Sequence, residues 1–142
     1  ATAERRALLA SLDDVQRAST TADAQILDVR PADYYLGLVN KADKVAAKGH
    51  VPGAKNLPFI LYMKESGKGT TFYGKEELKR VSAQLGIATD KATIAHCNTG
   101  HLASSGWFVM HELLGQTQTS VYDGSMNEWA ADPARPVSTR LE

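Results

Sequence analysis

The sequence has little cysteine: Cys97 is the only one among its 142 residues. An internal disulfide is therefore excluded, and because no Cys-x-x-Cys pair or Cys and His set stands at ligand spacing, no metal site is predicted. Long hydrophobic runs are also missing, so we expect no membrane-spanning segment. Lysine and arginine total 16, as do aspartate and glutamate, and neither sign forms a block. We therefore expect neither a nucleic-acid nor a membrane partner.

The length and the hydrophobic content of 43% fit one domain with one core. We predict a single domain over residues 1–142, in which residues 1–24 form an N-terminal strand and helix lead-in. Leu141 and Glu142 resemble a cloning remnant and receive no function. The first ten residues resemble neither a signal peptide nor a membrane span. The cytoplasm is the favoured compartment, with the periplasm as the alternative if a signal peptide has been removed.

Short aliphatic runs predict buried strands over 25–29, 92–96 and 119–122, with 7–10 as a further edge strand. Helices are predicted over 12–18, 75–85 and 102–114, with Ser11 as a capping residue and with Gly86 and Gly115 as stops. Residues 31–58 are predicted to form a long loop with one helical turn. This alternation favours an α/β fold with a mainly parallel central sheet flanked by helices.

Cys97 directly follows the strand predicted over 92–96 and opens the segment CNTGHLASS, which leads into a helix predicted to begin at Leu102 or Ala103. Ligands of parallel α/β sheets bind at the carboxyl ends of the strands, where backbone N–H groups of the strand-to-helix loop are exposed. We expect these groups to favour a thiolate and to stabilise the terminal sulfur of a persulfide. The alternative is a buried cysteine that serves only as a small apolar residue, the commoner fate of a lone cysteine.

Four segments resemble motifs of one family. Residues 26–30 (ILDVR) are similar to a strand ending in Asp-x-Arg, and residues 49–58 (GHVPGAKNLP) to the signature GHIPGA-x-N-x-P. Residues 96–103 (HCNTGHLA) match the loop pattern C-x-x-G-x-x-A, and residues 121–129 (VYDGSMNEW) are similar to a YDGS…EW segment. In this order the four segments resemble the rhodanese domain.

The resemblance implies a rhodanese-like fold, helices on both faces of the sheet, and either a single-domain sulfurtransferase or the C-terminal catalytic domain of a tandem protein. It implies an enzyme of the thiosulfate or 3-mercaptopyruvate type without a cofactor. Cys97 would take sulfur from a small anionic donor, hold it as a persulfide, and pass it to cyanide, a small thiol or a thiol protein. The resemblance assigns the substrate-binding loop to Asn98, Thr99, Gly100, His101, Leu102 and Ala103.

Arg30 ends the Asp-x-Arg motif and has two interpretations. In some relatives this arginine faces the anionic donor, a role that suits its fork of N–H donors. In the alternative it forms a structural ion pair with an acidic residue such as Asp28. His50 and His96 are predicted to be structural rather than catalytic.

Two departures from the family leave the donor open. Thiosulfate-using relatives have cationic residues in the loop, whereas this loop offers only His101. Mercaptopyruvate-using relatives carry a second arginine four residues after the first, where this chain has Tyr34.

Two other functions compete with sulfur transfer by a free-standing enzyme. Related phosphatases use the motif His-Cys-x5-Arg, but here the last position is Ala103, which cannot stabilise a phosphoryl transition state. The second alternative is a non-enzymatic rhodanese module for docking or for sulfur delivery to a protein partner.

Overall fold

The computed structural model describes residues 6–142. The first five residues of the lead-in predicted over 1–24 lie outside the described residues. Within the described part, no helix is long and apolar enough to cross a membrane.

Four parallel strands form the central sheet: β1 (Gln25–Asp28), β2 (Ala54–Asn56), β5 (Thr93–His96) and β6 (Thr119–Val121). Their spatial order is β2-β1-β5-β6. Asp28 pairs with His96 at the ends of β1 and β5, so both strands finish level at one edge of the sheet. The loops that follow these two central strands therefore emerge side by side.

Helices cover both faces of this sheet. Ile26 and Ile94 point to one face, where they join a core with α1 (Leu12–Thr21) and α5 (Ser125–Trp129). Leu27 and Val29 join the opposite core, which includes residues of α3 (Lys75–Gln84) and α4 (Ala103–Phe108). Alternate residues of a strand point to opposite faces, which accounts for the two cores. The predicted fold class is confirmed.

Local capping explains where two helices begin. Asp14 donates its N–H to the Ser11 hydroxyl, and the Ser11 N–H donates to the Asp14 carboxylate at 2.9 Å, so α1 starts at the predicted cap and extends three residues beyond its predicted end. At α3 the Gly74 N–H donates to the Glu77 carboxylate at 2.7 Å.

The structure differs from the sequence-based predictions at the first strand and in the long loop. Instead of a strand over 7–10, a 3-10 turn (Arg6–Leu8) is followed by a single parallel bridge from Leu9 to Val121. The segment 31–58 contains the expected helical turn as α2 (Ala32–Tyr35), but it also contains the edge strand β2.

Three further features were not predicted. An antiparallel hairpin forms from β3 (Met63–Ser66) and β4 (Gly69–Phe72), preceded by a 3-10 turn (Phe59–Leu61). The helix predicted over 102–114 is α4 followed by a π-helical segment (Val109–Leu113). Helix α5 follows β6 and packs beneath the loop that begins at Cys97.

Candidate active site

Cys97 is the first residue after β5, a central strand of the sheet. Its N–H donates to the Ser125 hydroxyl at 3.1 Å, and its carbonyl accepts the Met126 N–H at 3.1 Å. The next carbonyl, of Asn98, accepts the Asn127 N–H at 2.9 Å. The first turn of α5 thus fixes the start of the loop. Ser125 is the serine of the YDGS segment, but no role beside Cys97 was predicted for it; its φ is positive, at 51°.

The loop after Cys97 leaves a continuous run of backbone donors free. The N–H groups of residues 98–103 donate to no other protein group in the part of the chain that the structure describes. Six consecutive free N–H groups at the carboxyl end of a central strand can bind an anion or a sulfur that carries negative charge.

Gly100 allows the loop its tight curvature. Its φ is +90°, in the left-handed region, and a Cβ there would collide with the side chain and the carbonyl of Asp123. The glycine of the loop pattern is therefore required both by its backbone conformation and by the close approach of the loop to the segment after β6.

A cavity of about 280 Å³ opens beside the cysteine. Its lining consists of Arg30, Pro31, Lys41, Cys97, Asn98, Thr99, His101 and Leu102. The lining includes three basic residue types and no carboxylate among the described residues. Larger cavities of about 370 and 430 Å³ are present, and the second adjoins Gly100 and His101 of the same loop, but the only cysteine lines neither of them. Chemistry rather than size thus identifies the candidate site.

Only 3% of the Cys97 surface is exposed. On one side the residue packs with the core between the sheet and helices α3 and α4, and on the other it lines the cavity. A reagent therefore has to enter the cavity to reach the sulfur.

The loop residues lie at different depths. Asn98, Thr99 and Leu102 are half-buried, His101 is exposed, and Gly100 is buried. Ala103 is fully buried at the start of α4 and belongs to the core on that face, so it does not line the cavity. The position where a phosphatase needs its arginine is thus occupied by a buried methyl group.

Arg30 forms a buried ion pair with Asp28. Its Nε donates to the two carboxylate oxygens at 3.0 and 3.1 Å, and one Nη donates to Oδ2 at 2.6 Å. Further bonds run to the Gly49 carbonyl at 2.8 Å and to Asn98 Oδ1 at 3.3 Å. The ion pair anticipated as one interpretation is present, while the same side chain also lines the cavity. A role of Arg30 toward a donor stays a prediction.

Charge around this pair keeps Asp28 ionised. Burial by itself would raise the pKa of the Asp28 carboxyl, but the neighbouring His96 and the guanidinium of Arg30 together hold that pKa below its usual value. Because the guanidinium of Arg30 is charged at every relevant pH, it lowers the pKa of Asp28 whatever the charge of His96.

Both buried histidines use one ring nitrogen on a backbone carbonyl. His50 Nδ1 lies 2.6 Å from the Tyr35 carbonyl, and the His50 ring stacks on the Tyr35 ring with 3.6 Å between centroids. His96 Nδ1 lies 3.3 Å from the Cys97 carbonyl. Neither histidine lines the cavity. Their contacts are those of residues that hold the backbone around the site.

A family model for the Rhodanese-like domain matches residues 11–132. A protein of Saccharopolyspora erythraea with the name "Putative thiosulfate sulfurtransferase" is 38% identical over 122 residues, which cover 82% of this chain and 42% of that protein. The "Sulfur carrier protein TtuD" of Thermus thermophilus is 37% identical over 118 residues, which cover 80% of this chain and 40% of that protein. The chain thus spans less than half the length of these curated relatives.

Solved structures share the fold over nearly the whole chain. The anaerobic ergothioneine biosynthesis enzyme of Chlorobium limicola, in complex with trimethyl histidine, superposes with a TM-score of 0.83 at 27% identity. The match covers 98% of this chain and 33% of that enzyme. A structure of EanB with a cysteine persulfide also gives a TM-score of 0.83 at 27% identity, over 98% of this chain and 34% of that one.

Proposed function

The chain belongs to the rhodanese-like domain family, and from this premise we propose that it is a sulfurtransferase that carries sulfane sulfur as a persulfide on Cys97. One observation supports the proposal most strongly: the N–H groups of residues 98–103 are free within the described chain, and four of these residues, Asn98, Thr99, His101 and Leu102, line a cavity together with the only thiol of the sequence. The names of the relatives agree with sulfur transfer, and the EanB structure provides an example of a persulfide in a protein of similar fold.

In the first step the Cys97 thiolate attacks the outer sulfur of a donor such as thiosulfate. A new S–S bond forms on Cys97 as the donor's own S–S bond breaks, and sulfite leaves with the electron pair of that bond. In the second step cyanide or a thiolate attacks the outer sulfur of the persulfide and leaves as thiocyanate or as a new persulfide, which regenerates the Cys97 thiolate. Covalent carriage splits one transfer into two simpler displacements.

The loop N–H groups would act in both steps. The outer sulfur carries negative charge after the first displacement, and backbone donors of residues 98–103 can stabilise it without reorganisation. Since these donors belong to the main chain, side-chain substitutions at Asn98 or His101 should disturb them little. The Thr99 hydroxyl is a further donor at the cavity wall.

The test is mass spectrometry of the intact protein after incubation with thiosulfate and removal of excess reagent. We expect the protein to gain the mass of one sulfur atom, and we expect cyanide to remove that atom again as thiocyanate. The variant Cys97→Ser should gain none. Sulfur addition to the serine variant, or the absence of addition to the parent with every anionic donor tried, would contradict the proposal.

A second candidate function is sulfur delivery to a protein thiol rather than turnover with small acceptors. The relative from Thermus thermophilus that bears the name of a sulfur carrier protein favours it. Loaded protein can be chased with cyanide, with a small thiol and with a reduced thiol protein in parallel. Loss of the added sulfur only to the protein thiol would favour the carrier function, whereas rapid loss to cyanide would favour the enzyme.

A further inference from the structure

We propose that Lys41 selects anionic sulfur donors by binding their charged end at the mouth of the Cys97 cavity. This inference rests on the proposed sulfurtransferase function and gives it a specificity-determining residue. Neither the cysteine loop nor the Asp-x-Arg motif contains Lys41, which lies in the segment between α2 and β2. Its side chain nevertheless lines the same cavity as Cys97.

The backbone at Lys41 is well fixed. The Lys41 carbonyl accepts the N–H groups of both Lys44 and Val45 at 2.7 Å, which closes a tight turn. Val45 is 1% exposed and packs in the core with α1 and α5, and the Asn40 side-chain amide donates to the Val45 carbonyl at 2.8 Å. The turn is therefore anchored in the hydrophobic core, although Lys41 itself is exposed.

One residue ties this turn to the loop after Cys97. The Asn127 side-chain amide donates to the Lys44 carbonyl, while the Asn127 backbone N–H donates to the Asn98 carbonyl at 2.9 Å. The base of Lys41 and the catalytic loop thus share an attachment on α5. This shared attachment fixes the backbone of the turn relative to the cysteine loop, so the Lys41 side chain starts from a defined place beside the cavity.

Lys41 is the one lysine or arginine of the cavity without an acidic partner among the described residues. Arg30 is already paired with Asp28, and the remaining basic residue of the lining, His101, is exposed. The Lys41 ammonium forms no ion pair within the described chain, and no carboxylate lines the cavity. An incoming anion therefore meets an uncompensated positive charge.

The relative depth of the two residues gives the direction of donor entry. Cys97 is buried at the inner wall of the cavity, whereas Lys41 is exposed. We expect a donor with a sulfane sulfur at one end and a sulfonate or sulfinate at the other to enter with its sulfur toward Cys97. Its charged oxygens then lie near the ammonium group of Lys41. A Lys ammonium binds such oxygens as a point charge and needs no single geometry, which suits donors of different length.

The first test compares steady-state kinetics with thiosulfate for the parent and three variants. Lys41→Gln should raise the donor KM roughly three- to tenfold with little change in kcat, because an exposed charge pair contributes on the order of 1 kcal/mol. Lys41→Arg should retain most of the parent KM, since it keeps the charge. Lys44→Gln removes an exposed lysine of the same turn that does not line the cavity, and it should leave the KM unchanged.

Salt should shrink the difference between the parent and Lys41→Gln, because an exposed charge is screened within about 10 Å at 0.1 M ionic strength. A KM for Lys41→Gln equal to that of the parent at low salt would overturn the inference. An equal rise in Lys41→Gln and Lys44→Gln would also overturn it, because the effect would then be one of overall charge.

A second test does not depend on sulfur transfer. The rate of Cys97 modification is measured with an anionic sulfonatoethyl methanethiosulfonate and with its uncharged methyl counterpart. Lys41→Gln should slow the anionic reagent several-fold and leave the neutral reagent unaffected. Equal slowing of both reagents, or of neither, would overturn the role of Lys41. If the parent reacts as expected here but never gains sulfur from any donor, the proposed function fails while the charge selection by Lys41 stands.

Discussion

Buried histidines beside the Asp28–Arg30 pair leave one ring nitrogen each without a hydrogen bond. With Nδ1 on a carbonyl, the Nε2 atoms of His50 and His96 have no hydrogen-bond partner among the described residues. His96 Nε2 is 3.8 Å from the Asp28 carboxylate, and His50 Nε2 is 3.8 Å from that of Glu142. Burial lowers the pKa of both imidazoles more than these carboxylates raise it. Both rings are therefore neutral at pH 7.

These histidines predict a loss of stability in mild acid. The pKa of each histidine in the folded protein lies below the usual histidine value of about 6.5, so the unfolded chain binds more protons as the pH falls below that value. The free energy of unfolding should decline from about pH 7 down to the folded pKa, with a slope of up to about 1.4 kcal/mol per pH unit for each histidine.

Asp28 should cause a second decrease in the free energy of unfolding at lower pH. The pKa of Asp28 in the folded protein lies below the usual aspartate value, so its stabilising effect is complete at neutral pH and is lost as the pH falls through the folded pKa. Urea denaturation at half-unit steps of pH would separate the two losses, and NMR titration would assign the histidines. A free energy of unfolding that stays constant between pH 7.5 and 5.5 would contradict the histidine effect.

The place of the cysteine loop in the fold was predictable because one short segment after a buried strand contains the cysteine, the glycine and the small polar neighbours. Alternation in an extended chain places residues 28 and 30 on one face, which is consistent with the Asp28–Arg30 pair that was one of two interpretations of Arg30. Ser125 was not predicted as a support of Cys97, since it lies 28 residues away and acts through a positive φ and a hydroxyl. Lys41 was missed because only the tertiary structure brings its turn to the cavity.

At the scale of elements, the buried strands were predicted from the sequence, whereas the half-buried and exposed strands were not. Strands β1 and β5 are buried on both faces, and each has a short apolar run at its centre, Ile26-Leu27 and Ile94-Ala95. Strand β2 has three residues, of which Lys55 and Asn56 are polar and half-buried, so no such run is present. The β3–β4 hairpin is mostly exposed, and its available signal was Gly67-Lys68, a two-residue connection with φ of +57° at the glycine.

Helix α4 was predicted with its correct apolar character but not with its change of hydrogen bonding. Apolar residues recur at similar spacing in α4 and in the π-helical segment after it, so the pattern cannot tell one from the other. Close packing is a second property of α4 that periodicity does not reveal. At Gly106 a Cβ would lie 2.5 Å from Val29 Cγ1, so the helix backbone rests directly on the end of the strand.

This contact predicts an unusual outcome for Gly106→Ala. In an exposed helix the change stabilises by about 0.5–1 kcal/mol. Here we expect destabilisation of roughly 1–3 kcal/mol, because the methyl group would overpack the α4–sheet contact. The control is Gly69→Ala, whose added Cβ meets no atom within 4 Å. Urea denaturation measures the free energy of unfolding of both variants. A Gly106→Ala protein as stable as its parent would contradict the expected overpacking, because the structure would then accommodate the methyl group without cost.

In the molecule as a whole, the segment 137–142 returns to the long connection between β1 and β2. His50 and Ser138 exchange two backbone hydrogen bonds, of 2.8 and 2.9 Å. A Cβ at Gly49 would collide with the Ser138 carbonyl, and one at Gly37 would lie 2.6 Å from the Thr139 side chain. The two glycines permit this close approach, which covers the connection that carries Lys41.

Removal of residues 137–142 should therefore destabilise the protein. Two backbone hydrogen bonds are lost and Gly49 is uncovered, for which we expect a decrease of about 1–3 kcal/mol in the free energy of unfolding. A shorter truncation that removes only Leu141 and Glu142 keeps both bonds and should cost little. Chemical denaturation of the two truncated proteins measures the difference, and equal stability would mean that the return of the segment contributes nothing.

The single thiol has one more consequence for the proposed persulfide. With no second cysteine in these 142 residues, a persulfide on Cys97 would have no neighbouring thiol of the same sequence with which to form an internal disulfide and expel hydrogen sulfide. Within these residues the loaded form would then have no thiol with which to discharge itself. Its lifetime would depend on encounters with a nucleophile from outside them, so the supply of acceptor would govern when the sulfur is released.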